Sequence, residues 1–422
     1  MAANRQRVSA QDAVVPFVLI VSLFLLWGVA NSLNDVLIPQ FRKAFTLSNL
    51  QSGLVQSAFY GGYFFLALPA SFFMRRFGYK AAVVFGLLLY GAGALLFYPA
   101  AELREYAYFL GALFVIASGL AFLETSANPL VTVLGSPQSA EQRLNFAQAF
   151  NPLGVLSGIF IGRWFILSGI DYTPKQLAAM PPAAVAHFYA SEAHAVEGPY
   201  LVLAAVVIVW ALLVFLVPFP AVAGAGADEG AGTKGAFGQL FRRPHYLFGV
   251  VAQFFYVAAQ VGCWSFMIRY AQQAVPGMTD RSAADVLFWS LVGFTVGRFA
   301  GTALMGRIAP DRLMAVFAAI NVLLTIVAAA AGGWTGLLAL AATGFFMSIM
   351  FPTIFASAIR GLGPLTKAGS SLLVMAIIGG AVFTPLMGRI ADLSAIHYAM
   401  FVPAVCFAVV FAFAATSRPP AP

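Results

Sequence analysis

Residues 24–41 read FLLWGVANSLNDVLIPQF, and residues 114–134 read FVIASGLAFLETSANPLVTVL. Each stretch is apolar and about 20 residues long, the length a helix needs to cross a bilayer. Yet each carries an acid, Asp35 in the first and Glu124 in the second. A carboxylate in hydrocarbon costs roughly 3 kcal/mol or more unless it faces a cavity, a partner or a proton. The stretches therefore argue for an all-α membrane protein, and their acids mark where function sits.

Working outward, the whole chain follows the same rule. Of its 422 residues 61% are hydrophobic and 9% charged, far too apolar for a soluble domain. The apolar material divides into twelve windows, at 14–41, 50–74, 80–100, 106–133, 143–168, 197–218, 244–271, 282–306, 312–331, 334–359, 367–388 and 395–416. Between the sixth and seventh, residues 219–243 contain AVAGAGADEGAGTKG (221–235), the composition of a flexible linker. The expected organisation is an N-terminal six-helix bundle (1–218), a cytoplasmic linker (219–243) and a C-terminal six-helix bundle (244–422).

The net charge of +8 is a matter of topology and not of nucleic acid, because the basic residues gather at the ends of spans. Fourteen of the 23 Lys and Arg residues fall on the side of the N-terminus, seven fall on the other, and Arg163 and Arg298 lie within spans. The positive-inside rule then places both termini in the cytoplasm. The start, MAANRQRVSAQDA, is polar and leads into a full-length span, so no cleavable signal peptide is expected. Cys263 and Cys406 lie in separate apolar runs and read as buried thiols. The external stretch 169–196, with His187 and His194, reads as a solvated loop and not as a metal site.

A weak repeat joins the two halves. LPASFFMRRFGYK (68–80) lies between spans 2 and 3, and GRFAGTALMGRIAPDRLM (297–314) between spans 8 and 9. In both, small residues that let helices approach closely precede a short basic turn.

Polar side chains then fall in stripes. Trp27, Asn31 and Asp35 follow at i, i+4 and i+8 on one face of span 1, flanked by Ser32 and Asn34. Lipid does not tolerate such a stripe, so it should line an interior cavity; a structural hydrogen-bond cluster is the alternative. In span 4, Glu124 and Asn128 precede Pro129, whose missing N–H can bend the helix and free a carbonyl. Span 5 carries Asn145, Gln148 and Asn151, amides that suit either sugar hydroxyls or helix contacts. Span 7 carries Gln253, Tyr256, Gln260 and Trp264 along one face, the mixture of aromatic and planar polar groups that binds sugars. In span 11, Gly379 and Gly380 serve close packing or gating. Arg163 lies near the outer end of span 5, where its side chain can snorkel. Arg298 could reach an acid, but the sequence does not name its partner.

The motifs WGVANSLNDVLIPQF (27–41), QSAFYGGYF (56–64), LETSANPLVTVLG (123–135), RLNFAQAFNPLG (143–154), CWSFMIRYA (263–271), VGRFAGT (296–302), MSIMFPTIF (347–355) and GSSLLVMAIIGG (369–380) carry a resemblance. From about Pro16 to Phe413 the chain resembles the fucose/proton symporter family of the major facilitator superfamily. The resemblance implies twelve helices, alternating access and sugar import driven by a proton gradient. By matching motif it assigns proton coupling to Asp35 and Glu124, and sugar contacts to Gln148 and Asn151, with Gln260 and Trp264 lining the other half of the pocket. Trp27, Asn31, Ser32 and Asn128 join the expected sugar set through their place on the same faces. Three positions depart from the family pattern. Ser32 stands where a second Asn is expected, Met350 and Phe351 replace a polar residue and a tyrosine, and Arg163 replaces a neutral polar residue. These changes bear on which sugar is carried more than on coupling.

The expected function is thus a proton-coupled monosaccharide importer, L-fucose first, with glucose, galactose or another neutral hexose as the alternative. An exporter or uniporter on the same fold ranks lower, as does a non-transporting sugar sensor, since no soluble segment is long enough to signal. No metal-ligand cluster, nucleophile elbow or phosphate loop argues for an enzyme, and no cofactor is expected beyond the coupling proton. The expected partners are a small sugar, a proton and the lipid of a bacterial inner membrane. Nucleic acid is not among them, and nothing in the sequence demands more than a monomer.

Overall fold

The computed structural model describes residues 10–45, 49–167, 172, 174–219, 235–278 and 280–417. Asp35 lies on a described helix, but its side chain is outside the described residues, as are those of Arg42, Lys43 and Arg281. Most of the expected linker (220–234), Arg5, Arg7, Lys234 and Arg418 also lie outside them.

The regular elements among the described residues are all helices, with no strand among them. A chain crossing hydrocarbon must satisfy its backbone polar groups internally, and a helix does so within each segment. Eleven described segments are long and apolar enough to cross a membrane. One of them, Ala58–Leu103, has 46 residues, about twice the length a crossing needs. It takes in most of helix α2 (Asn49–Leu95) and all of the short helix α3 (Phe97–Leu103), and the path of α2 breaks at Gly78 (φ 86°, ψ 173°). That left-handed φ favours glycine, and it falls at the basic turn expected between spans 2 and 3. Counting the two halves of this segment separately gives the twelve crossings of the sequence reading.

The chain packs as two compact units. The first comprises residues 1–127 and 153–228, the second residues 128–152 and 229–422. In unit 1, α1 (Ala10–Ala44), α2, α3 (Phe97–Leu103) and most of α4 (Tyr106–Val133) are joined by most of α6 (Phe150–Ile161), a π-helical turn at Gly162–Ile166, α7 (Pro174–Ala179), α8 (Pro182–His194) and α9 (Glu197–Leu216). Their contacts run through small residues. Gly86 of α2 sits against Gly119 and Phe122 of α4, and Gly154 and Gly158 of α6 sit against Leu25, Gly28, Val29 and Ser32 of α1. Hydrogen bonds tie the apolar faces: Trp210 Nε1 donates to Ser22 Oγ at 2.6 Å, and Tyr90 Oη to the Leu26 carbonyl at 3.2 Å.

The stretch 169–196 departs from the expected loop. It contains α7 and α8, and Phe188, Glu192 and Ala193 are buried. Gln40 of α1 donates through Nε2 to the Glu192 carbonyl at 2.7 Å and to its Oε2 at 2.8 Å, which draws α8 inward.

Unit 2 holds α5 (Ala140–Gln148), α10 (Ala236–Leu240), α11 (Pro244–Ala274), α12 (Asp280–Leu304), α13 (Pro310–Ala331), α14 (Gly333–Met347), α15 (Met350–Ile359), α16 (Thr366–Met375), α17 (Gly379–Leu393) and α18 (Phe401–Thr416). Span 11 is two helices, α16 and α17, separated by a 3-10 turn at Ala376–Ile378. Gly379 lies against the Phe254 backbone and Gly380 against Val261 of α11, so close packing accounts for both glycines. Tyr270 of α11 donates to the Ala328 carbonyl of α13 at 2.6 Å and leaves room for nothing larger than glycine at 336. Cys263 and Cys406 are free and buried.

Candidate functional site

In unit 1 the acid of α4 is the centre. Glu124 is 1% exposed, and its Oε2 has no hydrogen-bond partner among the described residues. Trp27 of α1 and Tyr63 of α2 are buried as well, and the Tyr63 hydroxyl lies within electrostatic range of Glu124, Trp27 and Tyr60. Three helices thus bring an acid, an indole and a phenol together. Tyr63 was missed in the sequence; its signal was the pair Tyr60 and Tyr63 at i, i+3 in an otherwise apolar span. Asn31 is half-buried on α1. Ser32 is 3% exposed and donates to its own helix, at 3.2 Å to the Gly28 carbonyl and 3.1 Å to that of Val29. Gly158 of α6 lies directly against the Ser32 hydroxyl, so this position serves the α1–α6 contact.

In unit 2 the sequence places Arg298 without a partner, and the structure supplies one that is not an acid. Arg298, 4% exposed, donates through Nη1 to the main-chain oxygen of Gln148 at 3.2 Å and to its Oε1 at 3.3 Å. Gln148 Nε2 donates in turn to Asn128 Oδ1 at 3.0 Å. The guanidinium lies 4.8 Å from the centre of the Phe294 ring, and Phe294 meets Trp264 edge-on at 5.1 Å. Cation, ring and amide contacts therefore run from Trp264 through Phe294, Arg298 and Gln148 to Asn128. Three buried donors along this run, Trp264 Nε1, Arg298 Nε and Asn128 Nδ2, have no hydrogen-bond partner among the described residues. Buried polar groups are normally satisfied, so an unsatisfied set in one run is what a ligand or water site leaves behind. Gln260 is half-buried on α11, and Asn151 is half-buried near the start of α6, in the part of that helix that belongs to unit 2. Tyr256, one turn earlier on α11, spends its hydroxyl on the Met347 carbonyl at 3.0 Å, a structural use.

Beside this run, α5 is tied to α15. Asn145 Nδ2 donates to Thr353 Oγ1 at 3.0 Å. Just past α15, Arg360 holds two carboxylates: its Nε reaches Glu141 Oε1 at 3.0 Å, and its Nη2 pairs with the same oxygen and reaches Asp311 Oδ2 at 3.0 Å. Burial by itself would depress the Arg360 pKa; Asp311 and Glu141 outweigh that and hold it above the ordinary arginine value.

The profile of the Major Facilitator Superfamily matches residues 18–372. The chain belongs to the Major Facilitator Superfamily. It is a multi-pass membrane protein with that family's all-α, twelve-helix architecture. It is similar to the L-fucose-proton symporter of Escherichia coli (strain K12), 46% identical over 98% of this chain and 95% of that one. It is also similar to the glucose/galactose transporter of Brucella abortus biovar 1 (strain 9-941), 38% identical over 92% of this chain and 90% of that one. A solved fucose:proton symporter of E. coli superimposes with a TM-score of 0.89 at 45% identity, covering 96% of this chain and 98% of that one.

Proposed function

We propose that this protein is a proton-coupled monosaccharide importer that works by alternating access, with L-fucose as its first substrate. The similarity to an L-fucose-proton symporter along nearly the whole chain carries the choice of sugar class. Glu124, buried on α4 beside Trp27 and Tyr63, supports the coupling. Asp35 and Glu124 are the protonatable pair. Trp27, Asn31, Asn128, Gln148, Asn151, Gln260 and Trp264 form the sugar set, in which aromatic rings take the apolar faces of the sugar and amides take its hydroxyls. Ser32 belongs to this set through its neighbour Asn31, and its hydroxyl must turn away from the α1 backbone to reach a ligand.

Proton binding removes the charge on the acids, and the halves 1–218 and 244–422 then close around the sugar. After the sugar leaves on the inside, loss of the proton resets the carrier. Sugar and proton must each favour one state over the other, or no coupling results. The membrane potential adds about 2.3 kcal/mol per charge per 100 mV. Both termini lie in the cytoplasm of a bacterium, the protein sits in its inner membrane as a monomer, and the proton is the one coupling species.

A panel of labelled sugars in proteoliposomes, with and without an inward proton gradient, tests this reading. Gradient-driven accumulation of L-fucose above that of glucose and galactose is expected. The relatives named for glucose and galactose transport give the second reading, in which those hexoses accumulate instead. Uptake that ignores the gradient for every sugar overturns both.

A further inference from the structure

One cluster in unit 1 plays no part in the site above. Glu102 is the last residue but one of α3, His194 is the last residue of α8 and Glu197 is the first of α9. Their ligand-capable atoms all lie within 4.8 Å of one another. His194 Nδ1 and Glu197 Oε1 are already 2.7 Å apart. This grouping departs from the reading of His194 as a loop residue in solvent.

We propose that Glu102, His194 and Glu197 form a zinc-binding site that ties the end of α3 to the α8–α9 junction. The three helix ends are fixed independently of any metal. Phe97 and Tyr200 stack face to face, 3.7 Å between ring centres and 6° between planes, and both are buried; this pins α3 to α9. Gln40 holds Glu192, two residues before His194, by two hydrogen bonds and so pins α8 to α1. Metal binding then asks only for side-chain turns. The ring nitrogen and the two carboxylates close around the ion at bond lengths of about 2.0–2.2 Å, which sets neighbouring ligand atoms roughly 3.3 Å apart in a tetrahedron. Water fills the fourth position.

The donor set selects the ion. Calcium and magnesium prefer all-oxygen surroundings and six or more ligands. One imidazole and two carboxylates suit a borderline divalent ion, and two negative charges balance Zn2+. Glu102 is exposed and the other two are half-buried, so the ion can enter. The site follows three crossings from the N-terminus. Under the orientation proposed above it faces outward, where a cation arrives without crossing the membrane.

The test is a titration of Zn2+ into tag-free, detergent-purified protein against a chromogenic chelator, with thermal unfolding in parallel. One equivalent of zinc should bind, and it should raise the melting temperature by about 2 °C or more. Calcium and magnesium should not displace it. His194→Ala and Glu102→Gln should each weaken binding at least tenfold, since losing even a group that only supports a ligand costs about 10–100-fold, and abolish the thermal shift. His187→Ala should change neither. Glu102→Gln replaces an exposed side chain and leaves the fold intact, so it decides the matter even where His194→Ala is unstable. Zinc binding that is absent in the parent, or equal in parent and Glu102→Gln, overturns the proposal.

Discussion

Arg298 and Gln148, 150 positions apart in the chain, meet through one guanidinium nitrogen and two oxygens of the same residue, at 3.2 and 3.3 Å. The contact orients an amide that is also held by Asn128. A buried guanidinium with no acid among the described groups bonded to it is expensive, since burying an unpaired charge costs several kcal/mol. Its neighbours here are neutral oxygens and a ring face. Such a cation is kept where its donors have further work to do.

Arg298→Lys should therefore cost more than a conservative exchange suggests. Lysine keeps the charge but loses the rigid, planar guanidinium that aims Nη1 at both oxygens of Gln148 and lies against the Phe294 ring. A hydrogen bond to a charged group contributes about 1.5–3 kcal/mol, so the apparent affinity for sugar should fall roughly tenfold or more. Equilibrium binding to the purified variant measures it. An affinity equal to that of the parent would remove Arg298 and Gln148 from the sugar site.

The carboxylate of Glu124 carries a different prediction. Glu124→Gln keeps shape and hydrogen-bonding capacity but cannot change charge. Uphill accumulation should fall to background, while exchange of internal for external sugar at equal pH should persist. Comparing the two assays in one set of proteoliposomes separates coupling from binding. Normal uphill accumulation would end the role of Glu124 in coupling.

Much of this was legible in the sequence, and for a physical reason. Apolar length fixes a crossing by itself, and an acid such as Glu124 is visible because hydrocarbon makes it costly. What depended on a second segment was not legible. Glutamine 148 as the partner of Arg298 could not be named, because an amide gives no charge pattern to follow. Ser32 read as flanking a polar stripe, and its contact with Gly158, 126 positions on, was not visible there. The helices of 169–196 are short, and the hydrogen bonds from Gln40 that hold α8 at Glu192 come from a residue 152 positions earlier. Nor could the grouping of residues 128–152 with the C-terminal helices be read. It rests on long-range pairs such as Asn145 with Thr353.

Packing at Gly158 can be tested directly. A Cβ there would run into the Ser32 hydroxyl and come within 2.8 Å of the Val29 carbonyl. Gly158→Leu should abolish folded protein in the membrane, and Gly158→Ala should lower the melting temperature by several degrees, since overpacking costs about 1–3 kcal/mol. Adding Ser32→Gly to Gly158→Ala should recover part of the loss, because one of the two obstructions is gone. Fluorescence-detected size exclusion with a temperature ramp gives the ranking. Equal stability of Gly158→Ala and parent would mean that α1 and α6 do not meet here.

The last prediction concerns Arg360, which faces Glu141 and Asp311 with 2% and 5% of their side chains exposed. Removing the cation leaves two buried carboxylates facing each other, and breaking a buried pair in this way costs about 3–5 kcal/mol. The Arg360 side chain is 23% exposed, so solvent screens part of that cost and the low end applies. Arg360→Ala should lower the melting temperature by several degrees. Glu141→Gln should cost less, because the guanidinium keeps Asp311 and the neutral amide needs no counter-charge. The double variant Arg360→Ala with Glu141→Gln should be more stable than Arg360→Ala alone, since it removes one of the stranded charges. That order, Glu141→Gln above the double variant and the double variant above Arg360→Ala, is specific to a shared cation. Additive losses in the double variant would instead show that the three side chains act independently.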